Sequence, residues 1–171
     1  MNELISKNNF ILYTTENGDV KLEVFLHNEN LWLTQKKMGE LFDVDVRTIN
    51  EHIKNIYENC ELEEFSTIRK FRIVQKEGKR NVERELDFYN LDMIISVGYR
   101  VNSSRATQFR IWATKTLKEY IVKGFVLNEN RLKQGEKFFE KDYFKELLEK
   151  VRSIRASERR IWLQKIGRAH V

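Results

Sequence analysis

Proline is absent from the chain, and cysteine occurs once among 171 residues, as Cys60. A lone thiol excludes an internal disulfide, and no helix is forced to kink by a proline ring. Turns must be closed by Gly, Asn and Asp chemistry, yet glycine is itself scarce, at seven. Histidine is no richer: His27, His52 and His170 are scattered, and with one cysteine they make no zinc spacing. Neither Gly-x-Ser-x-Gly nor His-Glu-x-x-His occurs, and EGKR lacks the preceding glycine and the strand-loop-helix context of a phosphate-binding loop. No signal peptide and no long apolar run is visible, so a reducing cytoplasm is the expected location, with no membrane contact. These absences point away from an enzyme, a cofactor, a metal or a small-molecule substrate.

What is present suits a folded binding module. Hydrophobic residues at 41% and aromatics at 12% supply a core, and the 33% of charged residues are interleaved with apolar ones rather than segregated as in a disordered chain. The net charge of +5 and a pI near 9.2 permit contact with nucleic acid without demanding it.

Residues 10–33 read as strands: FILYTT and VKLEVFL flank ENGD, whose Asn17-Gly18 pair favours a tight hairpin, and NLWL after HNEN makes a third short strand. Helical spacing begins after Thr34, a good N-cap, with Met38, Leu41 and Phe42 on one side. Asp43 and Val44 form a turn, and Asp45 caps a second helix whose Ile49, Ile53 and Ile56 make an apolar stripe. Between residues 71 and 89 the period changes to two, so FRIVQK and NVERELDFY form a hairpin around EGKR. LDMIISV then reads as a short buried helix capped by Asn90 and stopped by Gly98. A longer helix runs from Ser103 to Lys123, with Phe109, Trp112, Ala113, Leu117, Tyr120 and Ile121 on one face and Gly124 as its stop. Residues 126–135 look like a polar linker. A final helix, roughly Glu136–Lys165, gathers Phe144, Leu147, Leu148, Val151 and Ile154 on one side.

The first helix pair has two readings, an ordinary helical hairpin or a helix-turn-helix whose second helix enters the DNA major groove. The second requires a small residue at the crossing, which Gly39 provides, and apolar residues in the turn and on the second helix, which Val44 and Ile49 provide. Asp43 stands where glycine is common, and His52 where an aliphatic residue is expected, with Ile53 able to take over the packing. Arg47, Thr48, Asn50, Glu51 and Lys54 are the expected groove-facing residues, Asn50 suited to adenine and Arg47 to guanine. The hairpin that follows raises the DNA reading, because a helix pair followed by a two-stranded hairpin is the order of a winged helix. Residues 69–80 carry six basic residues against one acid, Glu77, a local excess equal to that of the whole chain. Lys76, Lys79 and Arg80 are the expected phosphate contacts. A merely solvated, lysine-rich turn is the bland alternative. Arg100, Arg105, Arg110, Lys115 and Lys118 form a second basic stretch, read as core support, with Arg110 able to pair with Asp92 or Glu119.

WLTQKKMGELF, INEHIKNIY and YNLDMIISVGYRVNSSRATQFRIWATKTLKEYIVKGF together resemble the RhuM-like virulence-associated family of bacteria, over roughly residues 10–165. The last block is the most specific, and FRIWATKTLKEYIVKGF also resembles amino-terminal domains of Bro-type phage antirepressors. The resemblance implies a DNA-binding protein of a pathogenicity island or other mobile element, and a natural protein longer than this chain. The closing IGRAHV matches one reading frame of a common sequencing adapter, so residues 166–171 are expected to be foreign to the natural protein.

The expected fold is α+β: a winged helix-turn-helix-like domain with an N-terminal β-hairpin over residues 1–127, then a truncated helical extension over 128–165. The expected function is non-catalytic binding of double-stranded DNA in transcriptional regulation, with homo-oligomerisation through the C-terminal helix as a further possibility. The alternative is a protein-interaction module of a toxin–antitoxin or effector system, which the acids Glu40, Asp43, Asp45 and Glu51 near the proposed DNA face favour.

Overall fold

β-branched and aromatic residues crowd the first 32 positions, and in the computed structural model they pair into an antiparallel sheet of β1 (Lys7–Thr15), β2 (Gly18–His27) and β3 (Asn30–Trp32), in that order. The structure describes the backbone of residues 7–15, 18–77, 80–128 and 143–168, and the side chains of residues 24–73, 82–128, 143–159 and 162. Gly18 is not at the centre of the first turn as Asn17-Gly18 suggested: it opens β2, paired with Thr15. The second turn carries Asn28 and Glu29 at φ 49° and 59°, between the paired residues His27 and Asn30. Two positive φ values are what a two-residue turn matched to the strand twist requires. The Asn30 side-chain oxygen then accepts from the amides of Leu31 and Leu91, joining this turn to a helix 61 positions later.

The helices follow their caps. Thr34, Asp45, Asn90 and Ser103 each accept a backbone amide at the start of α1 (Gln35–Phe42), α2 (Val46–Glu58), α4 (Leu91–Arg100) and α5 (Ser104–Lys123). A single turn, α3 (Glu64–Thr67), leads into the hairpin β4 (Ile68–Glu77) and β5 (Arg80–Tyr89). α2 stops where Cys60 takes φ 55°, with Cys60 N donating to Tyr57 O and Glu61 N to Ile56 O. This is a helix-closing motif built without glycine. With α6 (Tyr143–Arg168), the described residues hold six helices and two small antiparallel sheets, a mixed α+β fold.

Period-two alternation explains how the strands are covered. Val24, Leu31, Leu33 and Tyr89 point into a cluster with Met38, Leu41, Phe42, Ile49, Ile53, Ile56, Met93, Ile94 and Val97. Their neighbours Phe25, Trp32 and Phe88 point the other way, into a second cluster with Phe71, Ile73 and Leu86. Rings of Phe25 and Phe88 meet edge-on at 4.6 Å, and Phe71 lies 5.3 Å from Phe88 and 5.8 Å from Trp32. An isolated antiparallel bridge, Leu33 to Tyr89, joins the two sheets.

Gly98 does not stop α4, which continues to Arg100. Its role is close approach: a methyl there would lie 2.7 Å from Phe109 Cε1 and 2.8 Å from Phe42 Cζ. Internal contacts divide the chain into Met1–Val126 and Leu127–Val171. In the second unit Phe144, Leu148, Val151, Ile154 and Trp162 of α6 are exposed. The expected start of that helix near Glu136 and most of the expected linker lie outside the described residues.

Two stability predictions follow from this packing. Alanine at a helical glycine normally gains up to about 1 kcal/mol, but overpacking of Phe42 and Phe109 costs about 1–3 kcal/mol. Gly98→Ala should therefore lower stability in chemical denaturation by roughly 1 kcal/mol, and adding Phe109→Leu should recover part of the loss. Glu61 forms an ion pair with Arg100. The hydrogen bond from Arg100, and after it one from Ser96, holds the Glu61 carboxyl below the ordinary carboxylate range. Its contribution is present above the unfolded-state value and lost as pH falls through the lower folded-state value. For so exposed a pair it should be at most ~1 kcal/mol, so Glu61→Gln should slightly flatten the acid limb of a stability–pH curve.

Candidate nucleic-acid interface

The segment from Thr34 to Glu58 is two short helices at a tight crossing. The Gly39 carbonyl accepts from the amides of Asp43 and Val44, the second at 3.0 Å, and a methyl on Gly39 would lie 2.9 Å from the Val44 carbonyl oxygen. Asp43, where glycine is common, takes φ 56° and ψ 53°. Asp tolerates the left-handed region better than most residues. Val44 packs on the core, Ile49 and Ile53 are buried, and His52 is half-buried, so Ile53 supplies the aliphatic contact.

With the isoleucines turned inward, the other side of α2 faces out. Arg47, Asn50, Glu51 and Lys54 are exposed and Thr48 is partly so. Lys54 Nζ lies 3.6 Å from Glu58 Oε1. Asn50 Oδ1 accepts from Gln35 Nε2 at 3.4 Å, and the same nitrogen donates to Tyr89 Oη at 2.9 Å. Burial raises the Tyr89 phenol above its ordinary value, so it stays protonated. Neither Gln35 nor Tyr89 stood out in the sequence, since they lie 15 and 39 positions from Asn50 and no periodic pattern links them. Glu40, Asp43, Asp45 and Glu51 are exposed on the same segment.

The hairpin keeps its register from Ile68–Tyr89 to Glu77–Arg80. At its base, Arg69 lies 5.5 Å over the Trp32 ring, with Nη1 3.1 Å from His27 Nε2. Lys70 and Arg72 are exposed. Of the expected phosphate contacts, Lys79 lies outside the described residues, as do the side chains of Lys76 and Arg80.

The second basic stretch is largely absorbed. Arg105 donates to the Glu40 carbonyl at 2.7 Å. Arg110 does not pair with Asp92 or Glu119. Its guanidinium donates to the carbonyls of Gly98 and Val101 at 3.2 and 2.7 Å and to Thr107 Oγ1 at 2.9 Å. It thereby satisfies carbonyls freed at the end of α4. Only the first half of the α5 stripe is covered: Phe109 is buried and Trp112 partly so, while Leu117, Tyr120 and Ile121 are exposed.

Among the described residues no group of three His, Cys, Asp or Glu side chains could hold a metal, and no helix is long and apolar enough to cross a membrane. A family model described as the Virulence protein RhuM family matches residues 66–168. The chain belongs to that family. In this RhuM family member the matched stretch takes in the hairpin, α4, α5 and α6, and begins after α2. Neither a curated protein nor a solved structure gives a significant match.

Substitutions at the crossing should have opposite signs. Gly39→Ala drives a methyl into a backbone carbonyl that cannot move aside, and should cost about 1–3 kcal/mol. Asp43→Gly removes the left-handed penalty at the expense of unfolded-state entropy, and should gain about 0.5 kcal/mol. Thermal melting of the two variants checks both.

Proposed function

We propose that this chain binds double-stranded DNA without catalysis, as a regulator carried by a bacterial mobile element or pathogenicity island. The outward face of α2 lies in the major groove, and the β4–β5 turn holds the adjacent phosphates. The single observation that carries the reading is the division of α2: Ile49, Ile53 and Ile56 are buried, while Arg47, Asn50, Glu51 and Lys54 are exposed beside a glycine-dependent crossing. The element order supports a winged-helix form. The helix pair precedes a two-stranded hairpin, and β5 bridges back at Tyr89 to Leu33, just before α1. Asn50 addresses adenine and Arg47 guanine, while Lys76, Lys79 and Arg80 neutralise phosphates.

The test is a titration of random-sequence duplex at several salt concentrations. Alanine at Lys76, Lys79 and Arg80 together should weaken binding to all sequences and lower the slope of log affinity against log salt by about 1 per lost phosphate contact. An unchanged slope would remove the wing from the interface.

A second reading, a protein-interaction module, is favoured by the acids Glu40, Asp43, Asp45 and Glu51 around the same face and by the exposed apolar residues of α6. In that reading α6 docks a second copy or a partner of a toxin–antitoxin or effector system. Size measurement of the chain with and without duplex separates the two. A shift on DNA at low salt supports the first reading, and self-association without one supports the second.

A further inference from the structure

Resting on the DNA-binding reading above, we infer that Gln35 is a positioning residue that fixes which way the Asn50 amide faces and so sets the base it reads. A carboxamide has two orientations that exchange a donor for an acceptor. On a solvent-exposed helix face both are open to Asn50, and reading a base edge with an amide requires the right one. Adenine needs the amide oxygen toward its N6 amino group and the amide nitrogen toward N7.

Three connected groups favour one of the two. Tyr89 is buried, and its backbone is clamped by Leu33: Leu33 N donates to Tyr89 O at 2.9 Å and Tyr89 N to Leu33 O at 2.8 Å. Its hydroxyl is therefore held in place beside α1, where it accepts from Gln35 Nε2. Gln35 is the first residue of α1, held there by the Thr34 cap. Its Nε2 has two hydrogens: one goes to Tyr89 Oη at 2.9 Å and the other to Asn50 Oδ1 at 3.4 Å. A primary amide nitrogen only donates, so with Gln35 Nε2 on this side Asn50 turns its oxygen toward α1 and its Nδ2 away. Oδ1 keeps a second lone pair for an N6 donor. The opposite orientation would set two donors against each other. Gln35 thus ties the reading residue of α2 to the base of the β4–β5 hairpin and biases the Asn50 amide before a duplex arrives.

Two substitutions separate this role from packing. Gln35→Met keeps the shape and removes the donor. Gln35→Glu replaces the donor by acceptors, which take a hydrogen from Tyr89 and another from Asn50 Nδ2, and so inverts the Asn50 amide. Duplexes selected from a randomised pool by the wild-type chain are first scanned to find the base pair at which Asn50→Ala loses discrimination. At that base pair the wild type should discriminate by ~10-fold or more. Gln35→Met should reduce this to about twofold, with a much smaller change in affinity for random duplex and a modest fall in melting temperature from the lost hydrogen bond to Tyr89. Gln35→Glu should move the preference toward a base edge that presents a donor. The inference is overturned if Gln35→Met keeps the full discrimination, if it weakens every duplex equally, or if no base pair responds to Asn50→Ala. Failure of the wild type to bind any duplex at low salt removes the DNA-binding reading itself, and with it this one.

Discussion

Two backbone hydrogen bonds between Leu33 and Tyr89 organise most of the first unit. Leu33 precedes Thr34, the cap of α1, and Tyr89 precedes Asn90, the cap of α4, so two helices start from one bridge. The alternation of side chains across the bridge then distributes the apolar residues. Leu33 and Tyr89 enter the helical core, while Trp32 and Phe88 enter the aromatic cluster that holds the hairpin base. Because strand side chains alternate with a period of two, a slip of one residue at this bridge would exchange both sets. The register is specified from both faces at once, which strands with one solvated face cannot do.

Around that frame, buried polar groups complete the joints. The Asn90 amide donates to Thr67 O of α3 at 2.9 Å, and its side chain both caps α4 and donates to Ser66 O and Asp92 Oδ2. Thr67 Oγ1 meets the Tyr57 hydroxyl at 2.9 Å, which ties α3 to α2. Arg110 serves the same end at the α4–α5 junction by filling two carbonyls. Such satisfied networks cost little in place and much when broken, because a buried group left unpaired keeps its desolvation penalty. They tie α2 to its neighbours by one face, and its other face is exposed.

Local chemistry was readable in the sequence and non-local chemistry was not. The N-caps Thr34, Asp45 and Asn90 and the isoleucine stripe of α2 rest on spacings of three or four residues, and the hairpins on a period of two, so short windows suffice, while Ser103, read only as the start of α5, is its cap. Gly98 reads as a stop because a glycine in a helix is unfavourable unless something passes close by, and Phe42 and Phe109 come from elsewhere in the chain. Arg110 reads as a carboxylate partner because carbonyls carry no sequence signature. Of the candidate interface, the outward set on α2 was legible from its helical spacing. The Gln35–Tyr89 support behind it was not, since it spans 54 positions. The exposed second half of the α5 stripe shows that an apolar pattern predicts a face that can be buried, and says nothing of what buries it.

The central claim is that the outward face of α2 is the surface that meets a duplex, and backbone amide shifts on adding DNA to the isotopically labelled chain test it most directly. The account predicts perturbations concentrated from Arg47 to Lys54, with a second set at the β4–β5 turn. Shifts confined to α5 or α6, with α2 unmoved, would contradict it.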